Sequence, residues 1–336
     1  MSMAVDLRFL VTGGAGYGLG HLLRATEIAR EALDRGARVA VALRGDAGAR
    51  TLVRERLPAA VLEDWCGPEA AARPAAWAVF DTREPIADEL GQAARAGLQR
   101  LVLDRADHLD DAELTVLPHL HGRCADHPRL RRGAPWCVIP RELRRLGPAE
   151  DDAREGVLVS FGGADPHDLT SAACEALAAL GGAEASQPVH VVLGRCFGAR
   201  EGLLRRLGSR GWSAHFDLDR RAMALLMRRS AAAVVGFGIT VYELAWLGVP
   251  MLYLVHHESD VAEARALEAL GIGAFGGSAH ALDGAALRRR LAETVLDPDW
   301  RRQAARTART LLGDGEGAVR IVDALLEGER RAKEVA

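Results

Sequence analysis

One lysine, Lys333, stands in a chain of 336 residues with 43 basic side chains, so nearly all positive charge is arginine. That scarcity removes whole mechanisms, because no lysine is placed to form a Schiff base or to serve a phosphate-binding P-loop. Long apolar runs are also missing: no segment reaches the ~18 uninterrupted apolar residues of a membrane span. Met1 to Leu10 carries Asp6 and Arg8 inside a short apolar stretch and does not read as a signal peptide. The five cysteines, Cys66, Cys124, Cys137, Cys174 and Cys196, are scattered and odd in number. They fit a reducing compartment better than a disulfide framework, and a cytoplasmic protein is expected. A formal net charge of -3 gives no broad basic field for nucleic acid or an anionic bilayer. Any anion bound by this chain has to be held locally.

What is present is ordinary globular chemistry, with 49% hydrophobic and 26% charged residues, in a chain long enough for two domains. Leu7 to Thr12 is a short apolar run closed by glycines, after which Leu22, Leu23, Ile28, Ala29 and Leu33 recur at helical spacing. Strand-like runs follow at Val39 to Leu43, Trp77 to Phe80 and Leu101 to Leu103, with Ala- and Leu-rich helical segments between them. Pro135, Pro140, Pro148 and Asp151-Asp152 mark a linker. A second alternating series runs through Gly156 to Phe161, Val189 to Leu193, Ala231 to Val235 and Pro250 to Val255, and beyond Leu282 the pattern is helical. Strands alternating with helices predict parallel sheets covered on both faces. The expectation is an α/β chain of two Rossmann-like domains, residues 1–145 and 146–336, facing a cleft, with the helical tail belonging to the second.

In open parallel sheets, ligands sit beyond the carboxyl ends of the strands. That rule selects three glycine-rich loops, 13–21, 162–168 and 236–240. The first, Val11-Thr12-Gly13-Gly14-Ala15-Gly16-Tyr17, resembles the opening of the extended short-chain dehydrogenases. Those enzymes need an acidic residue after the second strand and a tyrosine with a lysine one turn later. Here Leu43 is followed by Arg44, and none of Tyr17, Tyr242 and Tyr253 has a lysine after it, so a nicotinamide cofactor is not expected.

Gly18-Leu19-Gly20-His21 with Arg24 places a histidine at the mouth of the first helix, where free N–H groups favour an anion and a neutral imidazole can take a proton. The plain alternative is a histidine that merely begins a helix, with Arg24 as a solvated charge. Gly162-Gly163 follows a strand and can offer N–H groups to a phosphate, or can be only a tight turn. Gly236-Phe237-Gly238-Ile239-Thr240 enters another helix, whose N-terminus with the Thr240 hydroxyl suits a diphosphate. Glu243, one turn on, suits two ribose hydroxyls or is a glutamate favoured by the helix dipole.

These motifs, with Val159-Ser160-Phe161-Gly162-Gly163-Ala164-Asp165-Pro166, Leu169-Thr170 and the segment Val234 to Pro250, resemble the UDP-sugar hydrolase of pseudaminic-acid biosynthesis. They equally resemble the spore-coat polysaccharide biosynthesis proteins, described as glycosyltransferase-like, and more distantly the lipid II glycosyltransferase. The likeness runs from about Phe9 to Ala274. It implies the GT-B fold and cleavage of the anomeric C–O bond of a UDP-sugar without metal or cofactor. Water is then the acceptor and polysaccharide or nonulosonic-acid-type biosynthesis the setting, with transfer to a hydroxyl as the alternative. It further implies His21 as base, Gly162, Gly163, Gly238 and Thr240 near the phosphates, Glu243 at the ribose, the backbone at Val255 near the uracil edge, and Gly20 shaping the approach. Gly18, Arg24, Asp81, His257 and Glu258 complete the expected site. A binder without turnover is a third reading, against which a base at the helix mouth argues.

The chain also departs from the family. Asp81-Thr82-Arg83 keeps the family's aspartate after the fourth strand and loses its tyrosine, and His256-His257-Glu258 replaces Asn-Gln-Glu. His119, His121, Cys124 and His127 lie close in sequence, but one proline-flanked loop is not the paired-knuckle spacing of zinc sites, and no metal is expected. Asp104 and Asp107, after another strand, are candidates to orient a base, bind sugar hydroxyls or cap a helix.

Overall fold

The computed structural model describes residues 5–14, 16–120, 125–150, 153–163, 165–180, 187–194, 197 and 201–335, with side chains up to residue 327. The chain divides into two compact units, Met1–Val138 with Asp314–Ala336, and Ile139–Gly313.

The first unit is built on a parallel seven-stranded sheet in the order β3-β2-β1-β4-β5-β6-β7. Its strands are β1 (Val5–Gly13), β2 (Val39–Gly45), β3 (Val61–Asp64), β4 (Ala75–Asp81), β5 (Gln99–Leu103), β6 (Leu114–Leu117) and β7 (Leu130–Arg132). The apolar run of β1 has no alternation because both its faces are covered. Leu7, Phe9 and Val11 share a core with Leu22, Ala25 and Ile28 of α1 (Gly20–Asp34) and with Ala49 and Val53 of α2 (Ala47–Arg56). Leu10 faces the other way, into a core with Phe80 and with Leu90 of α3 (Ala87–Arg95). Strand order reverses between β1 and β4, where Val11 lies in register with Asp81. This is the topological switch point, where the connections leave towards opposite faces and open a crevice.

The second unit holds a parallel six-stranded sheet in the order β10-β9-β8-β11-β12-β13. It comprises β8 (Val157–Ser160), β9 (Val189–Leu193), β10 (Ser213–Phe216), β11 (Ala232–Gly236), β12 (Met251–Val255) and β13 (Ala274–Ser278). Around it lie α4 (Arg141–Leu146), α5 (Leu169–Ala178), α6 (Glu201–Ser209), α7 (Arg220–Arg229), α8 (Ile239–Leu247), α9 (Val261–Ala269), α10 (Gly284–Glu293) and α11 (Pro298–Leu311). Its switch point lies between β8 and β11.

Two boundaries differ from the sequence expectation. The change of unit falls at Val138–Ile139, ahead of α4, and Arg228 of α7 donates its Nε–H to the Gly147 carbonyl, tying α4 into the second unit. The terminal helix α12 (Gly317–Val335) does not belong to the second unit, as expected for 146–336, but to the first. Ile321, Val322 and Leu325 are fully buried in the same core as Leu7, Phe9 and Ile28. A helical period fixes which face of α12 is apolar but not which sheet that face meets.

Candidate functional site

In the first unit, the loop between β1 and α1 is shaped by glycine. A Cβ on Gly13 would stand 2.8 Å from the Leu22 side chain, so glycine lets α1 close tightly onto the strand end. Gly18, at φ 74°, accepts a 3.0 Å hydrogen bond from the Gly14 N–H, which closes the loop. Gly20 then opens α1, and His21 and Arg24 fall one turn apart on the same face.

That face meets the carboxyl ends of β4 and β5. The Asp81 carboxylate is fully buried, and its Oδ1 lies 2.7 Å from His21 Nδ1. Arg24 donates Nε–H to Asp81 Oδ2 at 2.9 Å and Nη2–H to Asp81 Oδ1 at 2.6 Å, a two-point clamp. Arg24 Nη2 also reaches Asp104 Oδ2 at 2.9 Å. Asp104 stands just past β5 at φ 67°, a left-handed conformation unusual outside glycine and most tolerated by Asp and Asn. On its far side, Asp104 Oδ1 is 3.5 Å from His119 Nε2. One guanidinium thus sits between two carboxylates, each facing a histidine.

The network fixes the tautomer of His21. Nδ1 stands near both Asp81 Oδ1 and, at 3.1 Å, Arg24 Nη2, and it cannot donate to the first and accept from the second at once. An ionised carboxylate has no proton to give, and both Nη2 hydrogens are taken by Asp81 and Asp104. The proton therefore belongs on Nδ1, pointing at Asp81, which leaves Nε2 with its lone pair as the basic nitrogen.

Burial works against the charge on every member of this group, but the mutual attraction outweighs it. Arg24 is held above its ordinary range by Asp104 and Asp81 despite its desolvation. Asp81, although its burial disfavours the anion, is held below the usual carboxylate range by Arg24 and His21. Asp104, with the same opposition from burial, lies at about 2 through Arg24, His21 and His119. A carboxyl depressed on folding stabilises the fold above its unfolded value and loses that contribution as pH falls through the folded value. Unfolding free energy should therefore drop as pH falls from about 4 to about 2, by on the order of 2 kcal/mol from Asp104. Denaturant titrations across that range should show a shallower fall for an Asp104→Asn variant, and an equal slope would mean that Asp104 has no such role.

Of the histidine loop after β6, His119 joins this cluster, His127 Nε2 lies 3.4 Å from Asp110, and His121 and Cys124 lie outside the described residues. Asp107 is bound by Arg105 and takes no part.

In the second unit, the chain leaves β8 through Gly162 (φ 81°) and Gly163. No sequence signal points to Gly194, past β9, where a Cβ would stand 2.4 Å from Gly163 Cα. Asp165 turns back to accept from the Leu169 and Thr170 N–H groups at 2.9 and 2.8 Å, so a carboxylate already serves the first turn of α5. The start of α8 is different. It opens on Gly238 at φ 154°, with no side-chain cap and no acid in its first turn. A helix end of this kind carries partial positive charge and outward N–H groups, the chemistry of an anion site.

Thr240 lies in that first turn, and Glu243, one turn on, has Arg220 Nη2 at 4.0 Å from its Oε1. Val255 is the buried last residue of β12, and the carbonyl of Leu254 before it accepts from the Phe237 N–H at 2.8 Å. His256 presents its ring edge-on to Phe161 and stacks on His167, with centroids 5.8 Å apart. Burial, with His167 and His257 adding to it, keeps His256 below its ordinary value. His257 is exposed, and Glu258 accepts a hydrogen bond from the Ser278 hydroxyl. The two groups of residues expected from sequence are thus each assembled within a unit: His21, Arg24 and Asp81 in the first, Gly162, Gly163, Gly238, Thr240, Glu243, Val255, His257 and Glu258 around the carboxyl ends of the second sheet.

No family model matches this chain, and no curated protein matches its sequence. Solved structures do match. MurG from Acinetobacter baumannii aligns with a TM-score of 0.66 at 13% identity, over 96% of this chain and 99% of that one. CalG4, the calicheamicin glycosyltransferase, gives 0.62 at 17% identity over 97% and 98%. HepE from Anabaena, crystallised with UDP-glucose, gives 0.59 at 15% identity over 97% and 99%. At these identities the likeness shows the fold, which is GT-B, with two Rossmann-like parallel-sheet domains and C-terminal helices.

Proposed function

We propose that this chain cleaves the anomeric C–O bond of a UDP-sugar and transfers the sugar to an acceptor hydroxyl, with His21 as general base. The observation that carries the reading is the fixed imidazole. Nδ1–H is spent on the buried Asp81 carboxylate at 2.7 Å, Arg24 holds that carboxylate at two points, and Nε2 is left to accept a proton. The acceptor O–H gives its proton to Nε2 while its oxygen bonds to the anomeric carbon. The bond from that carbon to the diphosphate oxygen breaks, and UDP leaves with the electron pair. Asp81 stabilises the imidazolium that forms.

In this reading the diphosphate sits at the start of α8, supported by the absence of a side-chain cap there, whereas the start of α5 is occupied by Asp165. Gly162, Gly163, Gly238 and Thr240 lie near the phosphates in this reading. Glu243 takes the ribose hydroxyls, the Val255 backbone the base edge, and His257 and Glu258 border the nucleotide. Gly18 and Gly20 keep the approach to His21 open. UDP as the nucleotide is supported by the HepE complexes, which contain UDP or UDP-glucose.

Water as acceptor is the second reading. One observation favours it: the side chains in contact with His21, Asp81 and Arg24, are charged, as is Asp104 on the far side of Arg24.

Calorimetric titration with UDP, with CDP and NAD as controls, tests the nucleotide assignment. UDP is expected to bind in preference to both. Binding of NAD or CDP in its place would overturn the assignment. UDP-sugars incubated with and without alcohol or sugar acceptors then separate transfer from hydrolysis.

A further inference from the structure

The mechanism above uses one end of the His21–Asp81–Arg24 cluster and leaves the other end, Asp104 and His119, without a task. We propose that Asp104 and His119 are positioning residues that set the charge around the base, the five side chains acting as one network with room for one extra proton. This rests on the reading of His21 as the base.

Two carboxylates, Asp81 and Asp104, flank the single guanidinium of Arg24, so with both imidazoles neutral the network carries one net negative charge. A proton on His21 or on His119 neutralises it, and a second proton would make a largely buried cluster cationic. The side chains of His21, Arg24 and His119 are each about nine-tenths buried and Asp81 is wholly so, whereas Asp104 is 28% exposed. Water therefore screens the charges on His21, Arg24, Asp81 and His119 weakly, and that on Asp104 more. The two histidines must compete for one proton, a coupled titration belonging to the network and not to either ring.

α1 brings His21 and Arg24, β4 brings Asp81, and the segments after β5 and β6 bring Asp104 and His119. Cys137, which feels the Arg24 charge, is kept as the neutral thiol, its pKa pushed up to about 12 by burial. Arg105 is turned away onto Asp107 and the Glu84 carbonyl. Thr12 and Thr82 pair with each other.

Asp104 holds the middle of this arrangement in a left-handed conformation, the one geometry observed to give one oxygen to Arg24 and the other to His119. The consequence for the reaction is direct. While His119 is neutral, the net negative charge favours a proton arriving at His21 from the acceptor. Once His119 is protonated, that advantage is gone and the base is weakened.

The test is a histidine-selective NMR titration of the full chain without substrate, comparing the parent protein with His119→Gln and Asp104→Asn. Removing His119 removes the competitor, and the His21 titration should sharpen and move up by about one pH unit, the order expected for coupled charges in a partly buried site. Removing the Asp104 charge should move it down by a similar amount. Asparagine tolerates the left-handed conformation, so this variant is expected to fold. The same opposed displacements should appear in the acid limb of kcat/KM with a UDP-sugar. A merely structural role would lower activity without moving that limb. His21 midpoints that coincide in all three proteins, or that move in the same direction in both variants, would overturn the proposal. Opposed midpoint shifts without turnover of any UDP-sugar would instead uphold the network and remove the proposed reaction.

Discussion

His21→Ala is expected to lower kcat by about 10²–10⁴-fold while leaving UDP affinity within a factor of a few. The loss follows from removing Nε2, the nitrogen that takes the acceptor's proton in the proposed reaction. Affinity is preserved because the nucleotide residues assigned above all lie in the second unit, away in sequence from α1. The fold should tolerate the change, since Asp81 keeps its two-point contact with Arg24 when the imidazole is gone. Measured together, turnover and calorimetric UDP binding separate the readings. Retained activity would remove His21 from the mechanism. Joint loss of UDP binding and activity would mean that its role is in assembling the donor site.

Asp81→Asn is expected to have two large effects at once. Without the carboxylate, Nδ1–H of His21 is no longer favoured over the other tautomer, and kcat should fall by on the order of 10²-fold or more. Arg24, buried and charged, loses its closest counter-ion and among the described residues keeps Asp104, which should cost roughly 3–5 kcal/mol of stability. The two effects are distinguished by measuring kcat well below the unfolding transition located by thermal or chemical denaturation. A variant as stable as the parent would contradict the ionised pairing of Asp81 with Arg24. Full activity in the folded variant would show that His21 needs no orienting partner.

Much of this architecture was legible in the sequence, for identifiable reasons. The buried strands β1, β2, β4, β5, β8, β9, β11 and β12 read as apolar runs because parallel strands covered on both faces carry no alternation. Strands such as β3, β7, β10 and β13 escaped because they are short or lie at sheet edges, and the sequence of β13, AFGGS, lacks any β-branched residue. The place of His21 at a strand-to-helix turn was likewise readable, since glycines at 13, 18 and 20 and the helical spacing that follows are local facts.

The partners of His21 were only half legible. Asp81 was singled out by resemblance, and Asp104 as one of two acids past a strand, with no sign that Arg24 would join them. Arg24 read equally well as a solvated charge. Its burial depends on β4 lying beside β1 and β5 beside β4, and that order is set by the packing of the sheet. The cap on α5 was hidden for a related reason: a Gly-Gly-x-Asp stretch does not reveal that the Asp165 carboxylate folds back onto the helix. Only with that known can the ends of α5 and α8 be told apart as anion sites.

The sequence by itself determined the elements and the residues of potential chemistry, because helix period, strand composition and turn glycines act over a few neighbouring residues. The tertiary structure decided which of them meet. It brought Asp81 and Asp104 to Arg24 across 57 and 80 positions of chain, set His119 beside Asp104, and docked α12 in the first unit. Contacts at such separations follow from strand order and from which apolar faces close on each other, and no local pattern encodes either.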